Sequence, residues 1–164
     1  MVSRKLFLLG ILAAACGNTP PTNFAGSYAL TIVNGDNACQ LQNWKAGDSS
    51  TNITADITQD SGLAEITIPG NTLAGAFLLL TLGTSTFSGT VTGNELTATY
   101  LGTQTQTQNA CNYTTKATLD VTLDANSVVS GTITYTPQTN GDASCGVLNT
   151  CSYSQTVSGT RTSQ

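Results

Sequence analysis

Tyr113-Thr114-Thr115-Lys116-Ala117-Thr118-Leu119-Asp120-Val121-Thr122-Leu123 alternates along its length. Tyr113, Ala117, Leu119, Val121 and Leu123 fall on one side, and Lys116, Thr118, Asp120 and Thr122 on the other. Asp124-Ala125-Asn126 then turns the chain into Val129, Gly131, Ile133 and Tyr135, again at every second position. Period two with apolar residues on one face and threonines on the other is the pattern of a half-buried strand. Two such runs joined by a short Asp/Asn turn make an antiparallel hairpin.

The same alternation extends outward in both directions. Phe24, Gly26, Tyr28, Leu30 and Ile32 share a face of a first strand, and Ile53, Ala55 and Ile57 alternate with polar neighbours. Asp60-Ser61-Gly62 turns into Ala64, Ile66 and Ile68, which Pro69-Gly70 stops. Phe87, Gly89 and Val91 lead through Gly93-Asn94 to Leu96, Ala98 and Tyr100, and the last run carries Cys151, Tyr153, Gln155, Val157, Gly159 and Arg161. Residues 76–82 place leucines on both faces; they read as the first half of one long strand bent at Gly83 and continuing to Val91. Counted so, the chain has eight strands, an even number that lets the last close antiparallel on the first. The expected fold is all-β, an up-and-down antiparallel barrel. All five tyrosines share the apolar face rather than forming girdles at two membrane interfaces, which favours a barrel with its apolar side inward.

Composition narrows the function. Thr occurs 30 times and Ser 14 times, histidine is absent, and charged residues are only 9%. Beyond residue 15 three bases (Lys45, Lys116, Arg161) face nine acids, a net of −6 that repels nucleic acid phosphates and anionic headgroups. With no histidine base, no HExxH, no GxGxxG, no P-loop and no SxxK, the chain is read as a non-enzyme without cofactor. Asp56, Glu65 and Asp120 sit on the threonine-bearing faces, so no carboxylate pair points inward. Asn34-Gly35-Asp36-Asn37 and Asn140-Gly141-Asp142 read as turns rather than calcium loops, and no metal is expected.

The N-terminus carries an address. Arg4 and Lys5 precede a ten-residue apolar run over 6–15, too short for the roughly 20 residues that span a bilayer. Ala13-Ala14-Ala15 ahead of Cys16 resembles the lipobox of bacterial lipoproteins, with Ala13 where that family prefers Leu. The resemblance implies a signal peptide over 1–15, acylation of Cys16 by chains such as palmitate, and a tether over 16–23 ahead of a single barrel domain, 24–164. Gly17 after the cysteine, where the family's inner-membrane members carry Asp, points to the outer membrane of the cell envelope. Several acyl chains anchor a protein stably.

Cys39, Cys111, Cys145 and Cys151 remain, an even number in a chain read as exported, and so two disulfides with three possible connectivities. The eight-strand topology gathers all four at one end. Cys145 with Cys151 across a short loop and Cys39 with Cys111 is the expected pairing; Cys39 with Cys151 and Cys111 with Cys145 is the alternative.

Phe24-Ala25-Gly26-Ser27-Tyr28 resembles the Gly-x-Trp opening strand of lipocalins, with Tyr28 in the Trp position. In that family a late Arg packs over the first-strand aromatic and closes the barrel floor, which implies Arg161 over Tyr28 or Phe24. The longer runs Asn34-Gly35-Asp36-Asn37-Ala38-Cys39 with Trp44, Phe87-Ser88-Gly89-Thr90-Val91-Thr92-Gly93 and Cys145-Gly146-Val147-Leu148-Asn149-Thr150-Cys151 resemble small lipoproteins abundant in predatory delta-proteobacteria. That resemblance implies location and fold, and no substrate.

Tyr100, Tyr113, Tyr135 and Tyr153 begin or end four consecutive strands at the expected mouth, all with inward parity, and so should form a collar there. Trp44, in the loop read as spanning 34–50, overhangs them as a lid. Rings with hydroxyl or indole donors suit a small amphipathic ligand, and equally a plug packed on the disulfides. Gln155 has inward parity and needs a partner: a ligand, a water or a tyrosine hydroxyl. Inward Gly26, Ala55, Gly89, Ala98, Ala117, Gly131 and Gly159 either open a cavity or make room for large neighbours. An interior below roughly 300 Å3 rules the binding reading out and leaves a filled barrel whose loops contact another envelope protein. The chain is expected to be a monomer.

Overall fold

A computed structural model describes residues 20–164. Cys16, the signal segment and most of the tether lie outside the described residues. The described elements run β1 (Gly26–Asn37), β2 (Ser49–Asp60), β3 (Leu63–Thr67), α1 (Leu73–Leu82), β4 (Thr86–Thr92), β5 (Glu95–Leu101), β6 (Gln106–Gln108), β7 (Cys111–Leu123), β8 (Val128–Gln138), a 3-10 helix (Ala143–Asn149) and β9 (Tyr153–Ser163). Sequential antiparallel pairs run from β1 to β5, β5 pairs β7, then β8 and β9 follow, and β9 returns to β1. Eight strands therefore close a barrel, and short β6 lies beside the start of β7 as an extra strand.

The strand count of eight holds for a different reason from the one read in the sequence. Residues 76–82 belong to a helix, and β4 begins only at Thr86. Thr72 caps the helix N-terminus, its hydroxyl accepting from the Gly75 N–H, and Gly83 ends it in the left-handed region at φ 85° with its N–H on the Leu79 carbonyl. Seven of the ten residues between these caps are Leu or Ala, strong helix formers, with Thr81 the one β-branched residue. A second difference concerns Asn34-Gly35-Asp36-Asn37, which is not a turn: it continues β1 against β9, with Asn34 opposite Gln155 and Asn37 opposite Tyr153. The mouth loop is correspondingly shorter, residues 38–48.

β1 climbs from the end where residues 20–25 and the end of β9 lie, the floor, to the opposite end, the mouth. Inward residues of all eight barrel strands form one core that includes Leu30, Ile57, Ile66, Val91, Leu96 and Val121. The inward glycines do not open space. A Cβ at Gly89 would stand 2.5 Å from the Thr97 carbonyl oxygen, and one at Gly159 2.3 Å from that of Ala29. They let adjacent backbones approach closely.

Both disulfides sit at the mouth, in the alternative connectivity: Cys39–Cys151 and Cys111–Cys145. Cys145 does not reach Cys151, and Cys39 does not reach Cys111. Barrel neighbourhood explains why. β1 lies beside β9, and its register, continued past Asn37–Tyr153, sets Cys39 opposite Cys151. Cys111 opens β7, whose neighbour β8 leads into the 3-10 helix that holds Cys145. β9 and β8 lie between β1 and β7 around the barrel, so a Cys39–Cys111 bond would have to cross it.

At the floor, Phe24 and Tyr28 are fully buried. The Tyr28 hydroxyl donates to the Phe24 carbonyl at 2.8 Å, and Arg161 donates to that hydroxyl through Nε at 3.0 Å and Nη2 at 2.9 Å. The guanidinium carbon lies 5.5 Å from the Tyr28 ring centroid, and Nη2 also reaches the Asn23 carbonyl. Gln59 ties down the entering chain, accepting from the Phe24 N–H and donating to the Thr22 carbonyl. Arg161→Ala should cost about 1–3 kcal/mol in a denaturant melt through lost packing and hydrogen bonds, with mouth binding unchanged.

Candidate functional site at the barrel mouth

Three structural pieces meet at the mouth: the upper barrel wall, the loop 38–48 and α1. Asn37 shapes the loop by a pair of contacts with Leu41, its Oδ1 accepting from the Leu41 N–H and its Nδ2 donating to the Leu41 carbonyl, both at 2.8 Å. This turn delivers Trp44 inward, where it is 9% exposed and its indole N–H donates to the Gly35 carbonyl at 2.9 Å.

Tyr135 and Tyr153 stack at 5.0 Å with 12° between their planes, and Trp44 stands edge-on to Tyr153 at 4.8 Å. Phe77 of α1 completes the cluster, 6.2 Å from Tyr135 and 6.5 Å from Trp44. Tyr113 is buried beside them, its hydroxyl donating to Gln106 Oε1 at 3.2 Å. Tyr100 stands apart. It shares a register level with Tyr135, but Ala117 of β7 lies between them and the ring packs on Phe87 at 6.1 Å. The collar is thus three tyrosines with Trp44 and Phe77, not four tyrosines.

Gln155 is satisfied from both ends. Tyr135 donates its hydroxyl to Gln155 Oε1 at 2.8 Å, and Gln155 Nε2 donates to Asn34 Oδ1 at 2.9 Å. Burial pushes the Tyr153 phenol up to about 12, against the opposing hydrogen bond from Thr115, and raises Tyr135 further, with Tyr153 adding to the rise. Both phenols therefore stay neutral across the physiological range and act as fixed dipoles. Among the described residues no buried side-chain polar atom lacks a partner.

Space at this end divides sharply from space below it. Between Tyr28 and Ile133 the lower barrel keeps only about 40 Å3, all of it apolar. Above, a cavity of about 280 Å3 opens between α1 and the loop. Ile32, Ile53, Ile68 and Ile133 form its base, Phe77 and Leu78 one wall, and Asn34, Asn43, Asp48, Ser49, Ser50 and Gln155 its polar side. A second cleft of about 340 Å3 lies across Trp44 and Phe77, lined by Gln42, Gln106, Gln108, Tyr113 and Tyr153. Trp44, Phe77 and Asn43 line both.

Among the residues placed at the mouth from sequence, Trp44, Tyr113, Tyr135, Tyr153 and Gln155 come together, and Tyr100 does not. Phe77, Asn34 and the whole of α1 were missed. The available signal was Thr72 ten residues ahead of the run's last leucine and Gly83 directly after it, a matched pair of helix caps.

No family model matches the chain, and no curated protein is similar to it. Among solved structures the chain is similar to "EF1p2_mFAP2b bound to DFHBI", at 16% identity over 84% of this chain and 92% of that one, with a TM-score of 0.46.

Proposed function

We propose that the protein is a lipid-anchored component of a bacterial cell envelope, on the outer membrane, that binds a small amphipathic ligand in its barrel mouth. The cavity of about 280 Å3, with isoleucines at its base and amides and hydroxyls along one side, carries the binding part of this reading. Taken alone its volume falls just short of the roughly 300 Å3 set for a ligand pocket; the cleft of about 340 Å3 on the other side of Trp44 and Phe77 clears it, so the mouth takes a small ligand. No Lys or Arg lines it, and Asp48, which does, is paired with Lys45 at 3.5 Å, so the amides and hydroxyls suit a neutral hydroxylated or amide head best. The anchor rests on the lipobox-like residues ending at Cys16; Cys16→Ser should move the protein from the membrane to the soluble fraction.

The second reading is a structural or interaction lipoprotein with a filled barrel, favoured by the 40 Å3 left in the lower lumen. Trp44 separates the two, since it is the chain's single tryptophan and walls the cavity. Under the binding reading, titration with neutral amphipaths shifts or quenches its emission saturably, and native mass spectrometry of protein from its own host shows a retained small molecule. Unchanged emission with every envelope lipid and glycan tried, together with no retained mass, leaves the filled barrel.

A further inference from the structure

Among the described residues β6 is the one strand that the barrel does not need for closure. It spans only Gln106–Gln108 and folds onto the start of β7 through Asn109, which sits in the left-handed region at φ 55°. Gln106 and Gln108 take alternate positions and are half-buried, while Thr107 between them is exposed. The cleft of about 340 Å3 lies between this strand, the loop 38–48 and α1.

Both outer walls of that cleft are braced. Cys39, at the start of the loop, is bonded to Cys151, and Cys111, at the root of the β6–β7 hairpin, is bonded to Cys145. Gln106 ties the hairpin to the helix, its Nε2 donating to the Thr81 carbonyl at 3.0 Å and its Oε1 accepting from the Tyr113 hydroxyl. Thr107 donates to Asn112 Oδ1 across the hairpin at 2.6 Å. Walls held in this way lose little conformational freedom when a ligand enters. Three amides are left over: Gln42, Asn43 and Gln108 line the cleft, and no hydrogen bond holds their side chains among the described residues.

No charged side chain lines the cleft. An ion of either sign would give up its hydration there without a counter-charge. An alkyl chain would strip water from the amides without replacing their hydrogen bonds. The ligand that fits is neutral, with groups that donate and accept along its rim and an apolar face for the rings. Each side-chain amide offers two N–H donors and a carbonyl acceptor, which matches the neighbouring hydroxyls of a sugar. The C–H face of a pyranose suits an aromatic ring. Phe77 supplies the reachable ring at 36% exposure, and Trp44, Tyr113 and Tyr153 form the buried wall behind it.

We propose that this cleft is a saccharide site, taking a short neutral sugar with its C–H face on Phe77 and its hydroxyls on Gln42, Asn43 and Gln108. The assignment rests on the reading of the mouth as a place where a ligand binds, and names the ligand class of the second cleft.

The test follows side-chain amide signals by NMR in the full chain with Cys16→Ser and both disulfides formed. Maltose, cellobiose and N,N′-diacetylchitobiose are titrated in turn. At least one should shift Gln42 and Gln108 saturably and leave Asn34 and Gln155 of the cavity in place; decanol, a neutral amphipath, should do the reverse. Gln42→Ala with Gln108→Ala should weaken sugar binding roughly tenfold or more at an unchanged melting temperature. No shift at Gln42 and Gln108 with any of the three sugars overturns the proposal. So does an equal shift from glucuronate or from a glycine–serine peptide, either of which makes the cleft a general polar groove. A decanol response without a sugar response removes the saccharide site alone, and a sugar response without a decanol response removes only the amphipath from the cavity.

Discussion

Replacing Cys39 and Cys151 together with alanine should lower the unfolding free energy by roughly 4–5 kcal/mol, the largest loss expected from any pair in the chain. The bond closes a loop of 112 residues, against 34 for Cys111–Cys145. Chain entropy lost from the unfolded state grows with the logarithm of loop length, so the shorter loop contributes about 1 kcal/mol less. Cys39–Cys151 also clamps the chain where β1 hands over to the loop that carries Trp44. The double variant should therefore show two signals in a denaturant melt followed by fluorescence: a lower midpoint, and a more solvent-exposed Trp44 before unfolding begins. An equal loss from both pairs would mean that local packing, not loop length, sets the contribution.

Gly131→Ala should cost about 3 kcal/mol or more, although it adds a single methyl group. The new Cβ would stand 2.0 Å from the Asp120 carbonyl oxygen and 2.6 Å from the Val121 Cα. Both are backbone atoms of β7, so no rotamer change relieves the clash and the β7–β8 ladder has to part. Gly62→Ala is the matched control, since its Cβ would meet only the Val91 carbonyl oxygen at 3.5 Å, ordinary contact. Thermal melts of the two variants should differ by most of the predicted cost. A Gly131→Ala protein as stable as its parent would show that the close strand approach is not required.

Much of the barrel was legible because inward and outward residues differ in chemistry at every second position. Ala117, Leu119 and Val121 against Lys116, Thr118 and Asp120 leave one choice of face, and Asp124 marks the turn by accepting from the N–H groups of Asn126 and Val128. Where both faces are apolar the signal fails, and residues 78–80 are three leucines in a row. Such a run fits a buried strand and a helix equally by periodicity, and only the end caps tell them apart. The disulfide pairing was lost at another level. Nearness in sequence favoured Cys145–Cys151, but nearness around the barrel governs, and the ring of strand neighbours was needed to see it. For the mouth, parity placed Tyr135, Tyr153 and Gln155 correctly in one wall. It carried no information on the wall opposite, because α1 was taken for a strand.

The pairing of β1 with β9 has a consequence for how the molecule comes into being. Tyr28 and Arg161 are 133 positions apart, and both edges of the sheet stay open until the eleven residues of β9 arrive. A nascent chain lacking β9 exposes β1 and β8 as free edges, each able to pair with another chain. Contacts this distant in sequence make closure the slow step of folding. The interval between emergence of β8 and docking of β9 is thus the period of greatest exposure to misassembly. The Cys39–Cys151 bond spans the same seam at the mouth, and once formed it holds β1 beside β9.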